Sequence, residues 1–115
     1  MGSTKSLALV FGLALAGISA AAVHAQQQPP NPWQPEEPQG YWSQTWHDGF
    51  RAGADAANQN VRAGQPPSPA RSDQFSHPDL APMAREDFRE GFSDGYQAVY
   101  DHFAQVGWRP TKTTK

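Results

Sequence analysis

The stretch "REGFSDGYQAV", residues 89–99, places two glycines four residues apart in a segment with helical periodicity. Glycine inside a helix costs about 1 kcal/mol relative to alanine. A second stretch, "HDGFRAGADAA", residues 47–57, carries the same pair of glycines. Two helices that keep the same unfavourable pair share a structural requirement, and close contact with another backbone is the requirement that glycine meets.

The two stretches belong to an internal repeat. A shift of 42 residues aligns identical or similar residues: Trp46 with Phe88, Asp48 with Glu90, Gly49 with Gly91, Phe50 with Phe92, Gly53 with Gly95, Ala56 with Ala98, Ala57 with Val99 and Val61 with Phe103. So many equivalent positions in one register indicate duplication of a helical unit.

Each copy of the repeat predicts one amphipathic helix, because its apolar residues recur every three or four positions. We place the helices at 41–63 and 80–105. Gly64 and Gly107, each with a proline shortly after it, are typical of helix ends. Asp79 is the predicted N-cap of the second helix.

Small residues line one edge of each apolar stripe, and they are Gly49, Gly53 and Ala56 in the first helix and Gly91, Gly95 and Ala98 in the second. This spacing lets two helix backbones approach closely. We therefore predict an all-α fold in which two helices form an antiparallel hairpin, glycine edge against glycine edge. The alternative, glycines that admit a ligand or a phosphate group, is disfavoured because no strand precedes them.

The predicted connection between the helices is long, since helical hairpins usually have 2 to 8 connecting residues. It carries two apolar residues, Phe75 and Leu80, among polar ones. We expect both to anchor the connection across the open side of the hairpin.

Residues 1–25 have the pattern of an export signal. Lys5 precedes a run of apolar and small residues over 7–23, and Ala25 ends the segment. Cleavage after Ala25 is the favoured interpretation. Retention as a membrane anchor is the alternative, because the run is at the short limit for a spanning helix.

The rest of the chain divides into three predicted regions. Residues 26–40 are rich in proline and glutamine and predict a disordered spacer. Residues 41–107 form the helical hairpin domain, and residues 108–115 are a flexible basic tail. Trp33 is unusual in a spacer, and we expect it to dock on a folded surface of this chain or of a partner.

Composition excludes several classes of protein. The chain has no cysteine, which removes disulfides, thiolate metal sites, cysteine nucleophiles and a lipid-modified cysteine. Residues 26–115 carry all 11 acidic residues and the nine Lys and Arg less Lys5, a net charge of −3. That charge gives no reason to expect nucleic acid as a partner, or stable membrane insertion after signal cleavage.

Few residues suggest chemistry. His47, His77 and His102 could hold a metal ion with nearby carboxylates, but no pair has the spacing of a known metal motif. Acidic pairs lie in the spacer and in the opening turn of a helix, where negative charge favours the helix dipole. No nucleophile motif is present. We therefore predict no enzymatic activity and no cofactor.

Aromatic residues are numerous for two helices, and two helices alone bury little apolar area. We expect most of these side chains in the core and some left over for association. The candidates for a partner surface lie at the stripe edges: Tyr41, Trp42, Tyr96 and Tyr100. The partner is a second copy of this chain or another exported protein.

The segment "FSHPDLAP" followed by "DFREGFSDGYQAVYDHF" resembles small exported bacterial proteins of unknown function. In those proteins a G-F-x-x-G helix, a His-Pro loop and a second G-F-x-x-G-Y helix recur. The resemblance covers about residues 46–103 and implies a bacterial exported protein, with no activity and no functional residues to transfer. The sequence thus favours a non-enzymatic, self-associating helical protein of the cell envelope. A small ligand- or metal-binding protein that uses the histidines is the alternative.

Overall fold

The computed structural model describes residues 29–40 and 42–112. These residues form three α-helices and no strand: α1 (Gln44–Arg62), α2 (Asp73–Ser76) and α3 (Pro82–Gln105), with a 3-10 turn at Pro69–Arg71 before α2. The all-α class and the two long helices are confirmed, and the short α2 was not predicted. The predicted signal at 1–25 lies outside the described residues.

Local chemistry sets the helix ends. Ser43 is the N-cap of α1, and its hydroxyl accepts a hydrogen bond from the Trp46 amide at 3.1 Å. The N-cap of α3 is Ala81, followed by Pro82, so the prediction of Asp79 as the cap is wrong. Proline suits this first position because its missing amide hydrogen would have no helical partner there.

The helices α1 and α3 run in the same direction. Successive glycines of α1 face later and later residues of α3, with Gly49 against Phe88 and Gly53 against Phe92. The N-cap hydroxyl of Ser43 also donates to Asp87, near the start of α3. The predicted antiparallel order is therefore wrong, because an antiparallel pair would bring the start of one helix to the end of the other.

The length of the connection follows from this parallel order. A helix of 19 residues such as α1 is about 28 Å long, and the chain must travel that distance back before α3 begins. Residues 63–81, named here the connection, do so along α3. The Tyr100 hydroxyl donates to the Gln65 carbonyl, and the Phe75 ring packs against that of Phe92, with centroids 5.3 Å apart and planes tilted by 45°.

Residues 29–40, named here the strap, form no helix or strand. They lie along α1 in the opposite direction. Arg62 at the end of α1 donates to the Pro30 carbonyl, and Arg51 in its first half donates to Glu37. Trp33 docks on this chain's own helices. Of the two surfaces expected from the sequence, this chain's and a partner's, the structure shows the first.

The core lies between the two long helices and is closed by the strap on one side and the connection on another. Its buried apolar residues are Trp46, Phe50, Ala54, Ala57, Val61, Phe92, Tyr96, Val99, Tyr100 and Phe103. Gly64 and Gly107 have positive φ angles just beyond the helix ends, as the sequence indicates. Trp108 folds back so that its ring lies 5.8 Å from that of Tyr100.

Candidate interaction surfaces

Four glycines, named here the glycine seam, lie where α1 and α3 meet: Gly49, Gly53, Gly91 and Gly95. A Cβ atom on any of them would overlap a backbone carbonyl oxygen of the other helix. The overlaps are reciprocal. Gly53 faces Phe92, and Gly95 faces Phe50, which is the residue 42 positions before Phe92. The seam therefore holds the two backbones closer than any side chain would allow.

The two alanines predicted beside these glycines lie differently. Ala56 and Ala98 are half-buried, whereas Ala57 and Val99 are completely buried. The deepest row of each helix therefore passes through the residue after the predicted alanine. Ala56 lines a shallow depression toward the connection, next to Ser72.

The strap is held by a side-chain clamp on α1. Asn58 is only 5 % exposed, and its amide group makes two hydrogen bonds of 2.8 Å to the backbone of Trp33. One is accepted from the Trp33 N–H, and the other is donated to the Trp33 carbonyl. The Trp33 indole stacks on His102 of α3, with ring centroids 4.0 Å apart and planes 3° from parallel. The strap thus contacts both long helices.

A charged cluster fixes the strap nearer the start of α1. Glu37 accepts hydrogen bonds from Arg51 at 2.8 Å and from His47 at 2.9 Å. The Arg51 hydrogen bond, aided by the one from His47, holds the pKa of the Glu37 carboxyl below its ordinary value, although partial burial opposes this. Arg51 also lies 3.4 Å from Asp48. These groups are substantially exposed, so solvent screens the two ion pairs by which Glu37 holds the strap on α1.

Two of the residues predicted for a partner surface belong to the core instead. Tyr96 is 1 % exposed and Tyr100 is 5 % exposed, so their assignment to the surface is wrong. The Tyr96 hydroxyl accepts hydrogen bonds from Asn60 at 2.6 Å and from the Ser68 amide at 3.0 Å. Burial raises the pKa of Tyr100 above its usual value. Both phenols can be buried because backbone and amide groups satisfy their hydroxyls.

Trp42 does lie at the surface. It is 42 % exposed and stacks on the buried Trp46 at 4.4 Å between ring centroids. Because Ser43 bonds to Asp87, α1 and α3 begin side by side, and Met83, 87 % exposed, belongs to the same end. We name the end of the molecule where α1 and α3 begin, with Trp42 and Met83, the hinge end. Tyr41, the remaining predicted surface residue, lies outside the described residues.

The three candidate metal ligands are engaged separately. His47 binds Glu37, His77 binds Asp73 at 3.1 Å, and His102 stacks on Trp33. Within 29–40 and 42–112, no group of three or more histidines and carboxylates could hold a metal ion. The structure does not bring the three histidines to one site.

A cleft of about 390 Å³ opens between the first turns of α1, the start of α3 and the connection. Its walls combine apolar, neutral polar and acidic side chains: Thr45, Asp48, Asp73, Gln74, His77, Pro78, Asp79, Leu80 and Phe88. The three carboxylates of this lining favour a cationic group over an anionic one. Leu80, predicted as an anchor, is half-buried in this wall.

Sequence reasoning missed the residues that hold the strap, namely Asn58, Arg51 and Glu37. Asn58 offered a signal, because it is a polar residue that faces the core from α1. No helix within the described part of the chain is long and apolar enough to cross a membrane. No protein family model, curated protein or solved structure matches this chain.

Proposed function

We propose that this chain is an exported, non-enzymatic helical protein of the bacterial cell envelope that works by self-association. The hinge end carries the proposal. It presents Trp42 and Met83 to solvent, two of the three large apolar side chains that are exposed in the described residues. Grouped exposed apolar residues at one end of a small domain are typical of an association site.

The use of polar side chains supports a structural role. The groups that could perform acid–base chemistry instead hold segments of the chain in place. Glu37 and His47 fasten the strap, and the phenols of Tyr96 and Tyr100 fasten the connection. Each of these contacts serves folding, which favours a scaffold over a catalyst.

We also infer that the fold arose by duplication of one unit, an extended segment followed by a G-F-x-x-G helix. The reciprocal contacts of the glycine seam support this inference, because Gly49 meets Phe88 while Gly91 meets Trp46, and both pairs keep the 42-residue shift. The same shift relates Trp33 in the strap to Phe75 in the connection. A unit that pairs with its own copy inside one chain can also pair between chains.

Sedimentation of the purified protein over a wide concentration range tests self-association. We expect a concentration-dependent dimer that weakens at least about tenfold in Trp42→Ser and in Met83→Lys, since one lost apolar anchor is worth about 1.4 kcal/mol or more. Val106→Lys is the matched control, because Val106 is 67 % exposed but lies at the opposite end of α3. A protein that stays monomeric at every concentration, or dimers that are equally sensitive at Val106, would contradict the proposal.

A further inference from the structure

The groove between α1 and α3 that holds the strap is built as a peptide-binding site. The Asn58 side-chain amide bonds to both the N–H and the carbonyl of Trp33. The ring of His102 provides a flat surface for the Trp33 indole. Asp55 accepts a hydrogen bond from Gln34, and Arg62 donates to the Pro30 carbonyl. Such contacts recognise an extended, proline-flanked tryptophan whichever chain supplies it.

We propose that the occupant of this groove in the self-associated protein is the strap of a second copy, so that two chains exchange straps. This inference rests on the proposed self-association and specifies its geometry. Exchange keeps every contact between strap and groove, so its free-energy cost is limited to the hinge and to the loss of translational freedom.

The hinge end decides between an exchanged and a closed chain. The last strap residue that is bonded to α1 is Glu37, and α1 begins at Gln44, so only residues 38–43 separate the docked strap from the helix. Short hinge segments between two docked elements favour exchange between copies. In the exchanged dimer the chains cross at this segment, and each hinge end lies within about 20 Å of the other.

That crossing explains why apolar residues are exposed where they are. In a single chain Trp42 and Met83 stay in contact with solvent at the hinge end. In an exchanged dimer the second copy's hinge end is adjacent, and it would cover both residues. The exposed apolar side chains and the segment able to exchange therefore lie at the same end of the molecule.

Cysteine cross-linking tests the exchange directly, because the chain has no cysteine of its own. The Gln34 and Asp55 side chains are exposed and lie 3.1 Å apart across the strap and α1. In Gln34→Cys/Asp55→Cys, a short bis-maleimide will join two chains if straps are exchanged, and it will close a loop within one chain if they are not. We expect a product of twice the chain mass in denaturing gels.

The control pair is Gln97→Cys/Asp101→Cys, which are exposed, bonded at 2.8 Å and both on α3. It should link within one chain only. A purely intramolecular product from the strap pair, or no product at all, would overturn strap exchange. Sedimentation of the unmodified protein separates the two proposals. A dimer whose strap pair links only within chains keeps self-association and rejects exchange, whereas a monomer rejects both.

Discussion

The strap and the connection cover the same pair of helices, but they are fastened differently. Each runs antiparallel to the long helix that follows it. Each also packs one aromatic ring against α3, namely Trp33 from the strap and Phe75 from the connection. The connection joins a long helix at both ends. Within the described residues, the strap continues into a helix at one end only, through residues 38–43 to α1. The connection is therefore tied to the fold by the chain itself, whereas the strap depends on its contacts.

The contacts differ in kind as well. The connection is held by buried phenols and by Arg89, which donates to the carbonyls of Phe75 and Ser76 at 2.8 and 2.9 Å. The strap is held by the Asn58 clamp and by exposed charges around Glu37. A segment held by exposed ion pairs responds to salt and pH, and one held by neutral carbonyls does not. We therefore expect the strap to be released more easily than the connection.

The largest expected effect comes from substitutions in the glycine seam, because the strap and the connection both pack on the two helices that it joins. Gly53→Ala and Gly95→Ala each place a methyl group on a carbonyl of the opposite helix, at Phe92 and Phe50 respectively. We expect each to lower the free energy of unfolding by about 3 kcal/mol, even though alanine favours the helix by about 1 kcal/mol. Thermal melting followed by circular dichroism measures both, and the reciprocal geometry predicts similar losses.

Asp94→Ala is the control for Gly95→Ala, because Asp94 is the exposed residue next to it on α3. Its stability should stay within about 0.5 kcal/mol of the parent. If Gly53→Ala and Gly95→Ala melted like this control, the close approach of the two backbones would be refuted.

The next prediction distinguishes the attachment of the strap from that of the connection. Tyr96→Phe removes the acceptor shared by Asn60 and the Ser68 amide, and we expect it to destabilise the whole fold by about 1 to 2 kcal/mol. Asn58→Leu keeps a side chain of similar size but removes both bonds to Trp33. We expect it to release the strap first, since within the described residues the chain ties the strap to a helix at one end only.

Amide hydrogen exchange distinguishes these outcomes. In Asn58→Leu, protection should fall at residues 30–37 and persist across α1 and α3. In Tyr96→Phe, protection should fall throughout the described residues. Uniform loss in both variants would show that the strap and the connection unfold as one unit, and the distinction between them would be lost.

The sequence predicted the helices but not their direction, for a physical reason. Periodicity and Gly64 define where α1 lies and which face it buries, and a seam of glycines fits a parallel pair as well as an antiparallel one. The length of the connection was the available signal, because a parallel pair needs a return path as long as the helix. In the sequence alone, however, the same length also fits a hairpin with a long loop.

The docking of the strap was harder to predict because α1 recognises the strap through its backbone. Asn58 recognises the N–H and carbonyl of Trp33, and every residue except proline offers those two groups. Composition therefore indicates a spacer. The hydrogen bonds from Asn58 require no particular side chains, so they produce no sequence pattern within residues 29–40. Tyr96 and Tyr100 were misplaced for a related reason, since backbone and amide partners far along the chain allow their hydroxyls to be buried.

The smallest expected effect concerns the charge of Glu37, and it tests whether that charge controls the release of the strap. Arg51 holds the pKa of Glu37 below the ordinary 4.5, so docking favours the ionised carboxylate. This stabilisation is complete above the pKa of the released strap and is lost as pH falls through the lower pKa of the docked strap. Glu37→Gln should cost about 0.5 kcal/mol at neutral pH and remove that dependence, whereas Glu36→Gln, at an exposed neighbour, should change neither. Backbone ¹⁵N relaxation measured at neutral pH and below pH 4 should show residues 30–37 gaining motion in acid while the connection stays rigid. Equal loosening of both segments would mean that ordinary acid unfolding, and not the carboxylate of Glu37, releases the strap.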